Sequence, residues 1–380
     1  MPARLKRRTA AWLAAALLAG CAAPPPESAD AELRRWMHEA GAVGLGIAVL
    51  ERGQVIHLAS HGLRNAQRPE PLDPDTVMYA ASLTKTVFAL LVLQLVDEGR
   101  LQLDTPLPQL LPQALPAYRD YADLADDPRW QRLTPRLLLA HGSGFLNFRW
   151  LDDEPKKLRF HADPGSGYHY SGEGIQLLQF VLEQGLGLDV EAELQRRFFT
   201  PLGLSRTGMR WNPDWAANAA DGHANDGRIR PHARRQSVRA AGSMDSSLRD
   251  QARLWAAVAD GWGLSAAGRA ALLAPQLPIR AKHQFPTFGQ PEDPALAALG
   301  FAAGLGLVRL DNGDGIVWFK GGHDDFTGNQ LVCHQGRRRC VLLMANDVRA
   351  EALFPRLVER WLGPTRLPWA WEYRDWRAAP

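Results

Sequence analysis

The chain has 380 residues, 46% hydrophobic and 22% charged, with 44 Lys and Arg against 41 Asp and Glu. This composition excludes an intrinsically disordered chain and leaves enough apolar material for one large or two interleaved domains with a substantial core. So even a charge balance also excludes a dedicated nucleic-acid binder, and no nucleic-acid partner is expected.

The first 20 residues carry Arg4, Lys6, Arg7 and Arg8 and then the apolar stretch Ala10 to Ala19, far short of the ~20 residues a spanning helix needs. Residues 1–20 therefore read as a signal peptide. Without them the formal excess of three positive charges becomes a deficit of one, so the basic pI belongs largely to the leader. Leu18-Ala19-Gly20-Cys21 resembles a bacterial lipobox, which implies lipidation of Cys21 and a periplasm-facing lipoprotein held to a membrane through that anchor. The absence of Asp just after Cys21 points to the outer membrane. An ordinary cleaved signal with an incidental Cys is the plainer alternative, and Arg7-Arg8 is also compatible with twin-arginine export. Residues 21–29, with Pro24-Pro25-Pro26, read as a tether to a domain spanning 30–380.

Asp30 to Ala40 has the spacing of an amphipathic helix, and Leu45 to Glu51 with Gln54 to Ser60 predict a hairpin around Arg52-Gly53. Ser82-Leu83-Thr84-Lys85 then opens a run, Thr86 to Glu98, that is apolar nearly all round and stops at Gly99, a residue suited to a helix C-cap. Such a helix belongs in the core. Residues three apart share a helix face, so Ser82 Oγ and Lys85 Nζ fall within reach of each other, while the helix start offers free N–H groups to a developing oxyanion. Six of the 44 basic residues are Lys and the rest Arg, so the chain uses Arg wherever mere charge suffices. A Lys beside a Ser thus points to a need for a titratable amine, which Arg cannot supply. The plainer readings are a Ser that caps a helix and a Lys on a solvated face.

From about residue 75 to 261 the pattern is mainly helical, including Gly174 to Gln184, Val190 to Phe199 and Leu248 to Ala259. Within it Arg228, Arg230, Arg234, Arg235 and Arg239 form a basic segment, read either as a solvated loop or as a meeting point for anionic lipid or polymer. Pro275 to Pro294 is a Pro-rich excursion placed to rim a cleft. Strand patterns return at Gly304 to Leu310, Ile316 to Phe319, Asn329 to Cys333 and Cys340 to Ala345, before a helix from about Val348 to Leu362. Cys333 and Cys340 flank a turn, and their spacing leaves open whether they pair. No Cys or His pairs recur at ligand spacing and His323-Asp324-Asp325 alone is a poor site, so no metal is expected. The economical architecture is α+β, an α/β sandwich. An antiparallel sheet is built from both ends of the chain (about 30–74 and 262–380) and flanked by helices. An all-helical region, about 75–261, is inserted, with the active site at the junction.

Two further segments, Tyr168-His169-Tyr170-Ser171-Gly172-Glu173-Gly174 and Trp318-Phe319-Lys320-Gly321-Gly322-His323, complete a constellation with Ser82-Leu83-Thr84-Lys85. In this order the three resemble the motifs of the penicillin-recognising serine hydrolases, the family of class C β-lactamases, D-alanyl-D-alanine carboxypeptidases and related esterases. Leu137 to Gly144, Pro201 to Met209 and Ala240 to Met244 resemble lesser landmarks of the same family, so the likeness runs from roughly Ala42 to Val348. It implies Ser82 as the acylated nucleophile and Lys85 as its proton-relay partner. Tyr170 would be the group that takes the Ser proton and later activates water. Lys320 would be the third-motif lysine that assists Tyr170 and attracts a substrate carboxylate. The oxyanion hole would be the backbone N–H groups of Ser82 and His323.

Two departures bear on the substrate. The family's Tyr-x-Asn is here Tyr170-Ser171-Gly172, without the amide that grips an acylamido side chain, and its Lys-Thr-Gly is Lys320-Gly321-Gly322, without the hydroxyl that helps hold a β-lactam carboxylate. Gly172, Gly321 and Gly322 are accordingly the candidate substrate-binding positions. His169 and His323 flank the site, where either could supply a hydrogen bond or a proton near neutral pH; they read rather as residues behind the site or on its rim, with His323 expected to act through its N–H and not its side chain. The expected activity is hydrolysis of a small-molecule or peptide-like ester or amide through a Ser82 acyl-enzyme, without metal, organic cofactor or obligate protein partner. Efficient cephalosporin recognition is in doubt. A D-amino-acid peptide hydrolase, and a non-catalytic protein that binds envelope fragments on the same fold, are the alternatives.

Overall fold

The two ends of the chain meet in one antiparallel sheet. The computed structural model describes residues 29–152 and 156–373; the signal peptide, Cys21 and most of the tether lie outside them. The strands are β1 (Gly44–Glu51), β2 (Gln54–Asn65), β3 (Arg68–Pro71), β4 (Leu277–Pro278), β5 (Ala302–Ala303), β6 (Val308–Asp311), β7 (Ile316–Asp324), β8 (Thr327–His334) and β9 (Arg339–Ala345). Their spatial order is β3-β2-β1-β9-β8-β7-β6-β5-β4. The join between N- and C-terminal parts is β1 on β9, in register from Leu45 opposite Ala345 to Glu51 opposite Arg339. The β1–β2 hairpin turns at Arg52 (φ 49°) and Gly53 (φ 78°), two left-handed residues whose twist suits a two-residue connection.

Every residue from Cys340 to Ala345 is buried, which requires cover on both faces of the sheet. The helices α1 (Ala29–Ala40), α4 (Leu248–Ala259) and α5 (Phe354–Leu362) supply it together with α2 (Leu83–Asp97), while α3 (Gly172–Leu186) lies in the inserted part. Gly46 lets Leu248 of α4 rest directly on β1, since a Cβ there would be 2.9 Å from Leu248 Cδ2. Helix α2 is the central element, buried without interruption from Leu83 to Leu93, as its all-round apolar sequence demands. It ends at Gly99 in the left-handed region (φ 71°).

The structure departs from the sequence expectation in several places. The region 75–261 is not all-helical: it holds two short ribbons, Val77–Tyr79 paired with Asp245–Ser247 and Gly222–His223 paired with Ile229–Arg230. Helix α4 packs on β1 and β2 and so belongs to the sheet layer. The strand expected over Gly304 to Leu310 is broken at Gly306 (φ 75°), where the backbone presses on α2 so closely that a Cβ would lie 2.7 Å from that of Ala89. The last helix is interrupted because Pro355 has no amide to donate. A 3₁₀ turn covers Val348–Leu353 and α5 starts at Phe354. Cys333 and Cys340, left open by the sequence, sit directly opposite each other on β8 and β9 and are joined in a disulfide.

Candidate active site

Ser82 stands at the start of α2, immediately after Ala81, whose φ of 48° puts a non-glycine residue in the left-handed region. Such a conformation costs about 1–2 kcal/mol and is held here by the Thr84 hydroxyl, which donates to Ala81 O at 2.5 Å. The Ser82 hydroxyl does not cap the helix. It accepts instead from Lys85 Nζ at 2.9 Å. Lys85 is 1% exposed, and its amine also donates to Ala241 O at 2.5 Å. Burial holds this amine below the ordinary lysine range, opposed by neighbouring Tyr170 and assisted by the positive charge of Lys320. An amine so placed gives up its proton more readily than an ordinary lysine, as a base in this position requires.

Tyr170 enters from the loop before α3, and Lys320 from β7. Lys320 Nζ donates to the Tyr170 hydroxyl at 3.3 Å and to Gly321 O at 2.5 Å, and Lys85 Nζ lies 4.9 Å from the centre of the Tyr170 ring. Burial brings Lys320 down to about 8, with Glu372 pulling it upward. The structure thus brings Ser82, Lys85, Tyr170 and Lys320 together, three segments far apart in sequence.

The N-terminus of α2 meets β7 backbone to backbone. A Cβ on Gly322 would lie 2.7 Å from Ala80 O, 2.9 Å from Leu83 N and 3.0 Å from Ser82 N, so only glycine permits this approach. The Asn329 side chain fixes the contact, its Nδ2 donating to Gly322 O at 2.8 Å and to Tyr79 O at 3.1 Å. His323 follows Gly322, and its N–H belongs to the strand that abuts Ser82. Its side chain turns to Glu351, with Nδ1 and Oε1 3.2 Å apart. Burial disfavours the imidazolium, but the hydrogen bond and charge of Glu351 outweigh it and raise His323 above the usual histidine value. His169 packs on Phe288, ring centres 4.3 Å apart, and neither is among the residues that line the cavity over the site.

A cavity of about 560 Å³ opens over these groups, lined among others by Ser82, Lys85, Tyr170, Lys320, Gly321, His323, Phe148, Arg239 and Glu372. The Pro-rich excursion reaches it through Gln284 and Phe285. Gly172 and Gly322 lie behind the wall rather than on it. At Gly172 a Cβ would meet the Phe148 ring at 2.5 Å, so that ring covers the place where the family's second-motif amide would begin. Of the basic segment, Arg228 pairs with Asp226, Arg230 with Asp324 and Arg235 with Asp245. Arg235 also lies over the Tyr79 ring at 3.7 Å. The segment is therefore largely spent on internal partners.

Several positioning residues escaped the sequence reading. His141, within the landmark Leu137 to Gly144, stacks on Tyr170 with ring centres 4.3 Å apart and accepts from Ser171 N at 3.1 Å. Burial and the two lysines keep it well below the usual histidine value, hence neutral. Gln176 and Gln179 of α3 accept from Ala241 N and Ala240 N at 2.9 and 2.7 Å, holding the loop whose carbonyl receives Lys85. Their spacing on α3 was the available signal. Nothing in the sequence pointed to Glu372.

The family profile described as Beta-lactamase matches residues 29–359. Esterase EstB of Burkholderia gladioli is 27% identical over 205 residues, 47% of this chain and 50% of its own length. A D-aminopeptidase of Gluconobacter oxydans is 27% identical over 169 residues, 43% of this chain and 32% of its own length. The chain thus spans about half the length, or less, of the curated relatives it matches. The fold is shared with the D-alanine carboxypeptidase AmpC from Burkholderia cenocepacia, with a TM-score of 0.67 and 16% identity over 87% of this chain and 96% of that one. With a family match across nearly all of the described residues and the Ser82, Lys85, Tyr170 and Lys320 constellation assembled at one cavity, the chain belongs to the beta-lactamase family.

Proposed function

We propose that the protein is a serine hydrolase that cleaves esters of modest size through an acyl-enzyme on Ser82. The observation that carries this is the 2.9 Å contact between the buried Lys85 amine and the Ser82 hydroxyl. Lys85, coupled to Tyr170, takes the hydroxyl proton as Oγ attacks the ester carbonyl carbon, and the N–H groups of Ser82 and His323 receive the oxyanion. The alcohol leaves with a proton returned from the Tyr170 side. Water, deprotonated by the same groups, then attacks the acyl carbon, releases the acid and restores Ser82.

An ester with an apolar acyl group suits the wall best, because the Phe148 ring stands where an acylamido-gripping amide would have to be. That argues for an esterase over a β-lactamase or peptide hydrolase. The test is turnover of a short-chain nitrophenyl ester and of a chromogenic cephalosporin by residues 22–380, with Ser82→Ala as control. Ester turnover lost in the control supports the reading, and efficient opening of the cephalosporin would replace it with a β-lactamase. The Leu18 to Cys21 sequence further supports export as a lipoprotein, and the Cys333–Cys340 disulfide suits an oxidising compartment. Radiolabelled palmitate incorporated by the wild type and not by Cys21→Ala is the expected result.

A further inference from the structure

Gly321 stands where the family's third motif carries a hydroxyl, and the space is not empty. A Cβ on Gly321 would lie 1.7 Å from Glu372 Oε1 and 2.6 Å from its Cδ, so the missing side chain is what admits the Glu372 carboxyl. That carboxyl comes from the far end of the chain and is held in place. Gln330, opposite Gly321 across β7 and β8, donates its Nε2 to Glu372 Oε2 at 3.0 Å. The Tyr373 hydroxyl donates to Gln330 Oε1 at 3.1 Å and so orients that amide. The neighbouring Trp371 is wedged against Phe301, ring centres 4.9 Å apart, and its carbonyl accepts from Gln284 N at 2.8 Å. Glu372 lines the cavity beside Lys320 and His323.

We propose that Glu372 is a specificity-determining residue that closes the third-motif subsite to a substrate carboxylate and confines the enzyme to esters whose alcohol half bears no negative charge. This rests on the serine-hydrolase reading above. The leaving alcohol departs toward Tyr170, whose hydroxyl is bonded to Lys320, so the alcohol half is the part of the substrate that meets Glu372. Two effects act there together. The carboxyl fills the volume a substrate anion would need, and it lines the same cavity as Lys320, whose charge draws the Glu372 carboxyl back toward its ionised form against the upward push of burial and is itself favoured in return. His323 is likewise answered by Glu351. The two basic side chains that line this end of the cavity, Lys320 and His323, therefore each stand against a carboxyl, Glu372 and Glu351 respectively.

The experiment compares kcat/KM for 4-nitrophenyl acetate and for 5-acetoxy-2-nitrobenzoate, which differ only in a carboxylate on the alcohol half, each normalised to its rate with hydroxide. The wild type should prefer the neutral ester by about tenfold or more, the cost of placing like charges together in a desolvated site. Glu372→Gln, equal in size and uncharged, should shrink that preference by at least about fivefold. If the wild type turns over both esters equally well, or if folded Glu372→Gln keeps the full preference, the proposal is overturned while the serine-hydrolase reading stands. Should Glu372→Gln not fold, the wild-type ratio decides independently of any variant. If neither ester is turned over by the wild type, the underlying reading falls and the proposal with it.

Discussion

Gly322→Ala is the most exposing single change, because it adds one methyl at the contact that joins the start of α2, with Ser82, to β7. The new carbon would lie 2.7 Å from Ala80 O, 2.9 Å from Leu83 N and 3.0 Å from Ser82 N, whereas ordinary contact begins near 3.4 Å. All three are backbone atoms, so none can swing aside. The start of α2 and β7 must separate by a few tenths of an ångström, and the N–H groups of Ser82 and His323 separate with them. Overpacking of this kind costs about 1–3 kcal/mol of stability, a fall of several degrees in Tm. Loss of one properly aimed oxyanion donor costs about 100- to 1,000-fold in kcat. Steady-state kinetics on a short-chain nitrophenyl ester, with thermal unfolding alongside, should show kcat down by about 100-fold, KM changed little and a folded protein. A folded variant whose kcat stays within about threefold of wild type would refute the placement of the oxyanion hole.

Lys85→Arg keeps the positive charge but cannot surrender a proton, so turnover should fall by about 100- to 10,000-fold without unfolding, checked by kcat beside a circular dichroism spectrum. Burial lowers the Lys85 amine, so activity should rise with pH as that amine loses its proton, along an acidic limb below the ordinary lysine range. Lys320, at about 8, loses its charge above that pH. If its charge assists Tyr170, kcat/KM should fall on the alkaline side near pH 8, and Lys320→Arg should remove that limb from the profile. Phe148→Ala opens the wall over Gly172 and should raise KM for longer apolar acyl chains by about tenfold, from the loss of roughly 1–2 kcal/mol of apolar contact, measured across a series of nitrophenyl esters. Replacing Cys333 and Cys340 by Ser should lower stability by about 2 kcal/mol, the loop entropy of so short a closure, read as a lower denaturation midpoint.

Helix α2 was legible because a run apolar on all sides has only the core to occupy, and a lone lysine in such a run calls for a chemical reason. The two-ended sheet was legible from paired strand patterns at each end. What escaped was set by contacts that sequence distance hides. The break at Gly306 follows from its pressure on Ala89 of α2, and the ribbon Val77–Tyr79 exists only because Asp245–Ser247 lies beside it. Gly172 and Gly321 read as losses from known motifs, yet each makes room for a side chain from elsewhere, Phe148 in one case and Glu372 in the other. A missing side chain is visible in a sequence, while its replacement by a residue from elsewhere in the chain is not. His141 falls within the stretch Leu137 to Gly144, but its packing on the Tyr170 ring depends on the turn it makes at a φ of 57°.

The central claim is that Ser82 carries the acyl group. Mixing residues 22–380 with excess nitrophenyl ester, quenching in acid within milliseconds to seconds and weighing the intact protein tests it most directly. The expected result is a mass increase of one acyl group that maps to the peptide containing Ser82, decays as the ester is consumed and is absent from Ser82→Ala. An adduct that maps to another residue, or turnover that persists undiminished in Ser82→Ala, would contradict the account.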